Sequence, residues 1–325
     1  MQFHTEITPE SLLCRIGLSD QLVTIGSCFA DVMGQHLTDH KLIVLINPFG
    51  TVFNPVSIAK LLTMALRGQV PDERLYIERD GLWFHYDFHS SLWAASQGEL
   101  RALLTAKLSA VGEAVRQADW LFITLGTAVV YRHIETGTVV ANCHKTPASQ
   151  FEKYLYQIDH VRDDLKKLLK TLRRANPDLR VLLTVSPVRH IRDSLPLNGV
   201  SKAILRTVCH ELTVWHDWVS YFPAYEIMQD DLRDYRFYEA DLIHPNAQAH
   251  EYIFGKFANC AFTSELRRFV AEWSAIRREL NHRPLHSMTE NHQKFLQNLL
   301  TKLEALQVCT DVSAELATVR SRLDP

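Results

Sequence analysis

Apolar residues fall in two alternating rhythms along this chain. Leu22 to Ile25, Leu42 to Ile46, Trp120 to Leu125 and Val181 to Val185 are short unbroken runs, the pattern of strands buried on both faces. Between them lie helical spacings: from the turn after Gly26 to about His40, from about Pro55 to Arg67, from about Glu99 to Gln117, and near Val161 to Arg174. In the last of these Val161, Leu165, Leu168, Leu169 and Leu172 share one face. Strand-helix alternation predicts an α/β fold: a mainly parallel sheet between two helical layers, a three-layer α/β/α arrangement.

Two segments depart from that rhythm and predict hairpin decorations on the rim of a pocket. One pairs Tyr76–Glu78 with Leu82–His85 around Asp80-Gly81, and the other pairs Val129–His133 with Val139–Ala141 around Gly137. From about His286 the chain turns polar, with Phe295, Leu299, Leu303 and Leu306 at helical spacing. This predicts a main domain over 1–285 and an amphipathic helical extension over 286–325, suited to packing or to homo-oligomer contacts.

Composition narrows the partners. The 325 residues are 46% hydrophobic and carry 35 Lys and Arg against 37 Asp and Glu, so the net charge is -2. Such a balance gives no electrostatic reason to expect nucleic acid or an anionic membrane, and favours a small, roughly neutral molecule as the ligand. The opening MQFHTEITPE has neither the basic nor the apolar part of a secretory signal, and no apolar run approaches the ~18 residues of a membrane span. Six cysteines without CxxC pairing fit reduced thiols and a cytoplasmic setting. Sixteen histidines occur without HExxH, and neither GxxxxGKS nor GxGxxG is present, so no metal and no cofactor is expected.

In open parallel sheets ligands lie beyond the carboxyl ends of the strands. The segments there are Gly26-Ser27-Cys28, NPFGTVFNP (47–55), LGTAVVYR (125–132) and SPVRH (186–190). Asp241 and His244 stand three apart in DLIHP, a spacing at which a carboxylate can hold one imidazole nitrogen and leave the other as a base. Pro245 suits the first position of a following helix. Asn142, His144 and Lys145 in VANCHK, Arg189 and His190 in SPVRH, and His85 and His89 in FHYDFHS are candidates for substrate contacts.

GSCFA at 26–30, with LGTA, VANCHK, SPVRH and DLIHP in that order, resembles the GSCFA family of the SGNH or GDSL-like hydrolase superfamily. The resemblance covers the chain to about residue 280 and implies a flavodoxin-like three-layer fold. It implies a nucleophile after the first strand, with Asp241 and His244 matching the superfamily Asp-x-x-His. Gly26 matches the motif glycine, Ser27 stands where aspartate is usual, and Cys28 stands where the nucleophilic serine is usual. Two nucleophiles follow: Cys28 as a thiolate, helped by the helix start and His244, or Ser27 with His244 as general base. The resemblance implies an oxyanion hole using Gly50, with Thr127 or Asn142 in place of an asparagine, since Ala128 occupies its position. The activity the resemblance implies is hydrolysis of an O-acyl ester, of a carbohydrate or cell-wall precursor, through an acyl-enzyme. The alternatives are an O-acyltransferase with the same residues and a binding protein that keeps the cleft without the chemistry.

Overall fold

The computed structural model describes residues 5–192, 194–282 and 289–323. The core opens with β1 (Gln21–Gly26), α1 (Cys28–Asp39), β2 (Ile43–Ile46) and α2 (Pro55–Arg67). A hairpin of β3 (Tyr76–Arg79) and β4 (Leu82–His85) leads to α3 (Gln97–Gln117) and β5 (Trp120–Leu125). Next come β6 (Val129–His133), β7 (Val139–Val140), β8 (Phe151–Leu155), α4 (Ile158–Ala175) and β9 (Arg180–Val185). Then follow α5 (Leu195–Trp215), β10 (Val219–Tyr221), α6 (Ala224–Gln229), α7 (Ala247–Ala261), α8 (Ser264–Asn281), α9 (Glu290–Leu306) and α10 (Ser313–Leu323).

Five strands form one sheet in the order β10-β9-β5-β1-β2, and every pair in it is parallel. Val23, Ile25, Leu121, Ile123, Val181 and Leu183 point into a core shared with α2, α3, α4 and α5. Their neighbours Leu22, Trp120, Phe122 and Leu182 point the other way, into a core shared with α1 and α6 to α10. Burial on both faces is why these strands read as continuous apolar runs. Each fully buried aliphatic side chain contributes about 1.5–3 kcal/mol. The three-layer α/β/α arrangement follows.

The structure adds elements that periodicity did not mark. β10 supplies a fifth strand of three residues. The second decoration is a three-stranded antiparallel sheet, β7-β6-β8, in place of a hairpin. Its extra strand reads Phe-Glu-Lys-Tyr-Leu, with Glu152 and Lys153 exposed. The C-terminal segment forms two helices in place of one. Leu296, Leu299, Leu303 and Leu306 of α9 join Val312, Leu316 and Val319 against Trp273 and Ile276 of α8, while Phe295 is partly buried beside them. The expected boundary at 285/286 lies outside the described residues. Among the described residues no helix is long and apolar enough to cross a membrane.

Gly26 sets how α1 starts. Its φ is +147°, and a Cβ there would meet the Thr124 carbonyl oxygen at 2.2 Å. Only glycine permits this approach of the turn to β5.

Candidate functional site

Ser27 is the N-cap of α1. Its Oγ accepts from the Phe29 N–H at 3.3 Å and donates to Ser186 Oγ at 2.9 Å, and the residue is 2% exposed. The hydroxyl is therefore committed to holding the turn. Cys28, the first residue of α1, is half-buried. Burial pushes its thiol pKa up, and the nearby Asp31 carboxylate adds to that, against the opposing pull of the helix-start N–H groups and Lys202. The expected depression of this thiol is thus corrected: desolvation outweighs the helix dipole. Asp31 is itself held by Asn47 Nδ2 at 2.8 Å and Thr51 Oγ1 at 3.4 Å.

Across the cleft mouth, the 239–246 turn builds an Asp-His pair. Asp241 Oδ1 accepts the N–H groups of Ile243 and His244 at 2.9 and 3.0 Å, and Oδ2 meets His244 Nδ1 at 2.6 Å. These hydrogen bonds, the one from the His244 ring first, hold the Asp241 carboxyl down at about 2. With Nδ1–H given to the carboxylate, Nε2 is the ring acceptor. Arg189 straps the turn in place: its guanidinium donates to the Leu242 carbonyl at 3.2 Å and lies 4.0 Å from the Tyr238 ring centroid. Pro245 precedes the cap of α7, which is Asn246, and so stands outside the first helical position predicted for it.

Ser27, Cys28, His89, Thr127, Arg189, His190 and His244 all line one cleft of about 520 Å³. Thr127 Oγ1 accepts the Val129 N–H at 3.1 Å and pairs with Ser201 Oγ at 2.9 Å. Burial, reinforced by Lys202, pushes the His190 imidazole down to about 3. That ring is neutral near pH 7, and its Nε2 has no hydrogen-bond partner among the described residues.

Gly50, Asn142, His144 and Lys145 fall outside the lining of that cleft. The Gly50 N–H donates to the Asn47 carbonyl at 2.7 Å, and its φ of +72° seats it against His89, whose Cβ would lie 2.4 Å from an added Cβ. Asn142 Oδ1 accepts the His144 N–H at 2.8 Å, and His144 Nε2 meets the His85 carbonyl at 2.9 Å, so this segment stitches the first hairpin to β7. Lys145 follows it in the same turn with φ +58°. A larger hollow of about 850 Å³ beside α2 contains none of the predicted site residues, and its buried Asp87 is paired with Lys60 at 2.6 Å. Among the described residues no group of three or more His, Cys, Asp or Glu converges as a metal site.

The motifs overlooked polar residues on the cleft wall, Lys153, Arg192, Asn198 and Ser201, and two more, Ser186 and Lys202, that hold its turns from below. Ser186 takes the Ser27 hydroxyl, Ser201 takes Thr127, and Lys202 lies wholly buried beneath both. The signal was present in α5, where Asn198, Ser201 and Lys202 continue the stripe of Leu205, Val208, Cys209 and Leu212. Polar residues in register with an apolar stripe point inward.

Comparison with known proteins gives the family. A family model described as the GSCFA family matches residues 21–257, and one described as GSCFA domain protein, C-terminal domain, matches 273–325. No curated protein matches significantly. Among solved structures, a proposed platelet activating factor from Streptococcus pneumonia is similar with TM-score 0.40 and 11% identity, over 74% of this chain and 83% of that one. A carbohydrate esterase family 3 protein from Talaromyces cellulolyticus gives TM-score 0.25 and 14% identity, over 48% of this chain and 60% of that one. The family match runs from β1 into α7 and takes in every segment that lines the cleft, so the chain belongs to the GSCFA family.

Proposed function

We propose that this protein is an acyl-ester hydrolase of the SGNH type, working through a covalent acyl-enzyme on Cys28 with His244 as base and Asp241 as its orienting carboxylate. The observation that carries the reading is the 2.6 Å contact of Asp241 Oδ2 with His244 Nδ1, which leaves Nε2 as the base in a cleft that Cys28 also lines. Cys28 is favoured over Ser27 because the serine hydroxyl already donates to Ser186.

With its pKa raised, Cys28 is a thiol near neutrality and needs a base. As sulfur bonds to the acyl carbon, the S–H proton moves to His244 Nε2. Collapse breaks the bond to the alcohol oxygen, which leaves with that proton. Water then attacks the thioester and gives a proton to His244, and the departing sulfur recovers it as the acid is released. The Cys28 N–H at the helix start and the Thr127 hydroxyl are the oxyanion donors in this scheme. With Ser201 as donor to Thr127 Oγ1, the Thr127 proton is left for substrate.

The unpaired His190 Nε2 and the donors of His89 and Arg189 on the walls suit an alcohol portion rich in hydroxyls, a carbohydrate or cell-wall precursor. O-acyl transfer is the second reading, favoured by Val129 and Tyr131 of β6, which set apolar surface along the cleft wall where an acceptor alcohol can displace water. The test is p-nitrophenyl acetate turnover with mass spectrometry of the quenched enzyme. Acetyl on Cys28, and loss of turnover in Cys28→Ala, are expected. Turnover that survives Cys28→Ala, or none in the wild type, overturns the reading.

A further inference from the structure

Helix α5 turns a row of polar side chains inward. Asn198, Ser201 and Lys202 are all buried, at positions i, i+3 and i+4. Asn198 Oδ1 accepts the His190 N–H at 2.9 Å. Ser201 Oγ accepts the Ala128 N–H at 2.7 Å. Lys202 Nζ donates to the Gly126 carbonyl at 2.7 Å and to the Ser186 carbonyl at 2.8 Å. The row therefore grips both turns that flank the cleft, the one after β5 and the one after β9, and Lys202 alone grips the two together.

A buried ammonium is costly without a carboxylate. Among the described residues no acidic side chain forms an ion pair with Lys202, which has two carbonyl oxygens and the Tyr225 ring, 5.8 Å away, around its Nζ. Desolvation accordingly pulls it down to about 7. The titratable groups that act on it or feel it are Cys28 of α1, His190 of the turn after β9, and Tyr225 of α6. An apolar residue would fill this stripe at less cost, as Leu205 and Val208 do below it.

We propose that Lys202 is the positioning residue of the cleft: by tying the Gly126 and Ser186 carbonyls to one ammonium it fixes the spacing of the two turns, and with it the Ser186–Ser27 hydroxyl bond that seats Cys28. Thr127 hangs from one of these turns and His190 from the other, so the same tie sets the distance between two cleft walls. Only the kinetic arm of the test rests on the acyl-ester reading.

Four proteins are compared: wild type, His244→Ala, Lys202→Met, and Lys202→Gln, which keeps two N–H donors without charge. Cys28 alkylation by iodoacetamide is followed from pH 6 to 10, with p-nitrophenyl acetate kinetics alongside. The Met form is expected to lose roughly 100-fold in kcat, the scale of a misplacement near 1 Å, with KM changed less than about threefold. Its alkylation profile should also lose the inflection near pH 7 expected of the wild type as Lys202 titrates, an inflection expected to persist in His244→Ala. The Gln form should recover part of kcat but not the inflection, and it serves if the Met form fails to fold. Unchanged kcat and an unchanged alkylation profile in a folded variant overturn the proposal. A wild type without ester turnover whose alkylation still depends on Lys202 removes the hydrolase and leaves the tie.

Discussion

The two halves of the site are built in opposite ways. On the nucleophile side Ser27, Ser186 and Lys202 are each no more than 2% exposed and are joined through hydroxyls and carbonyls into one network. On the base side the Asp241 and His244 side chains are 45% and 47% exposed, on a turn held by Arg189 and by its own backbone. Buried polar networks are costly to break, whereas exposed pairs add little to stability. Mutations should therefore separate the two halves: one reports on folding as well as rate, the other on rate alone.

The largest effect is expected on the exposed half. His244→Ala and Asp241→Asn should each lower kcat by ~10²–10⁴ while moving unfolding free energy by less than ~0.5 kcal/mol. A loss of stability comparable to the loss of rate would erase the contrast. Ser186→Ala strikes the buried half, leaving the Ser27 hydroxyl and the Val188 N–H without their partner. It should destabilise by about 1–3 kcal/mol in urea unfolding and lower kcat as well.

The pH dependence sharpens the comparison. Lys202 has a folded pKa of about 7, below the ~10.4 of an unfolded lysine. Between those values the unfolded chain binds a proton that the folded one refuses, so stability should rise with pH from about 7 towards 10. Lys202→Gln should flatten that rise. His36, His40 and His250, packed between α1 and α7, are all pushed down by burial first, His250 to about 4. The same sign makes stability fall as pH drops from about 6.5 towards 4, and urea midpoints across this range would check it. Arg189→Ala gives the smallest effect: loss of its contacts to Tyr238 and Leu242 should cost about 0.5–1 kcal/mol and raise KM more than it lowers stability, as paired kinetics and melts would show.

Sequence pattern revealed those parts of the molecule where one rule acts alone. Strands buried on both faces must be apolar throughout, so β1, β5 and β9 stood out. The Asp241–His244 pair was visible because it is local, three residues within one turn. β8 was hidden because Glu152 and Lys153 face solvent, and β10 because three residues carry no period. Ser27 reads from sequence as a candidate nucleophile; that its hydroxyl proton is given to a residue 159 positions away is visible only in the structure. Lys202 was missed because a lysine in a helix is ordinarily solvated, and its burial emerges only from the register of Leu205 and Val208.

The far end of α1 is braced by the last helices. Trp273 Nε1 donates to the Asp39 carbonyl at 2.8 Å, Arg277 pairs with Asp39 at 3.0 Å, and Lys41 pairs with Glu315 at 2.7 Å. During synthesis, then, the helix that begins at Cys28 emerges early yet waits for residues beyond 312 before its outer face is closed. A ribosome that stalls in α8 would release a chain with every strand made and the far end of α1 unbraced, a natural substrate for chaperones and proteases.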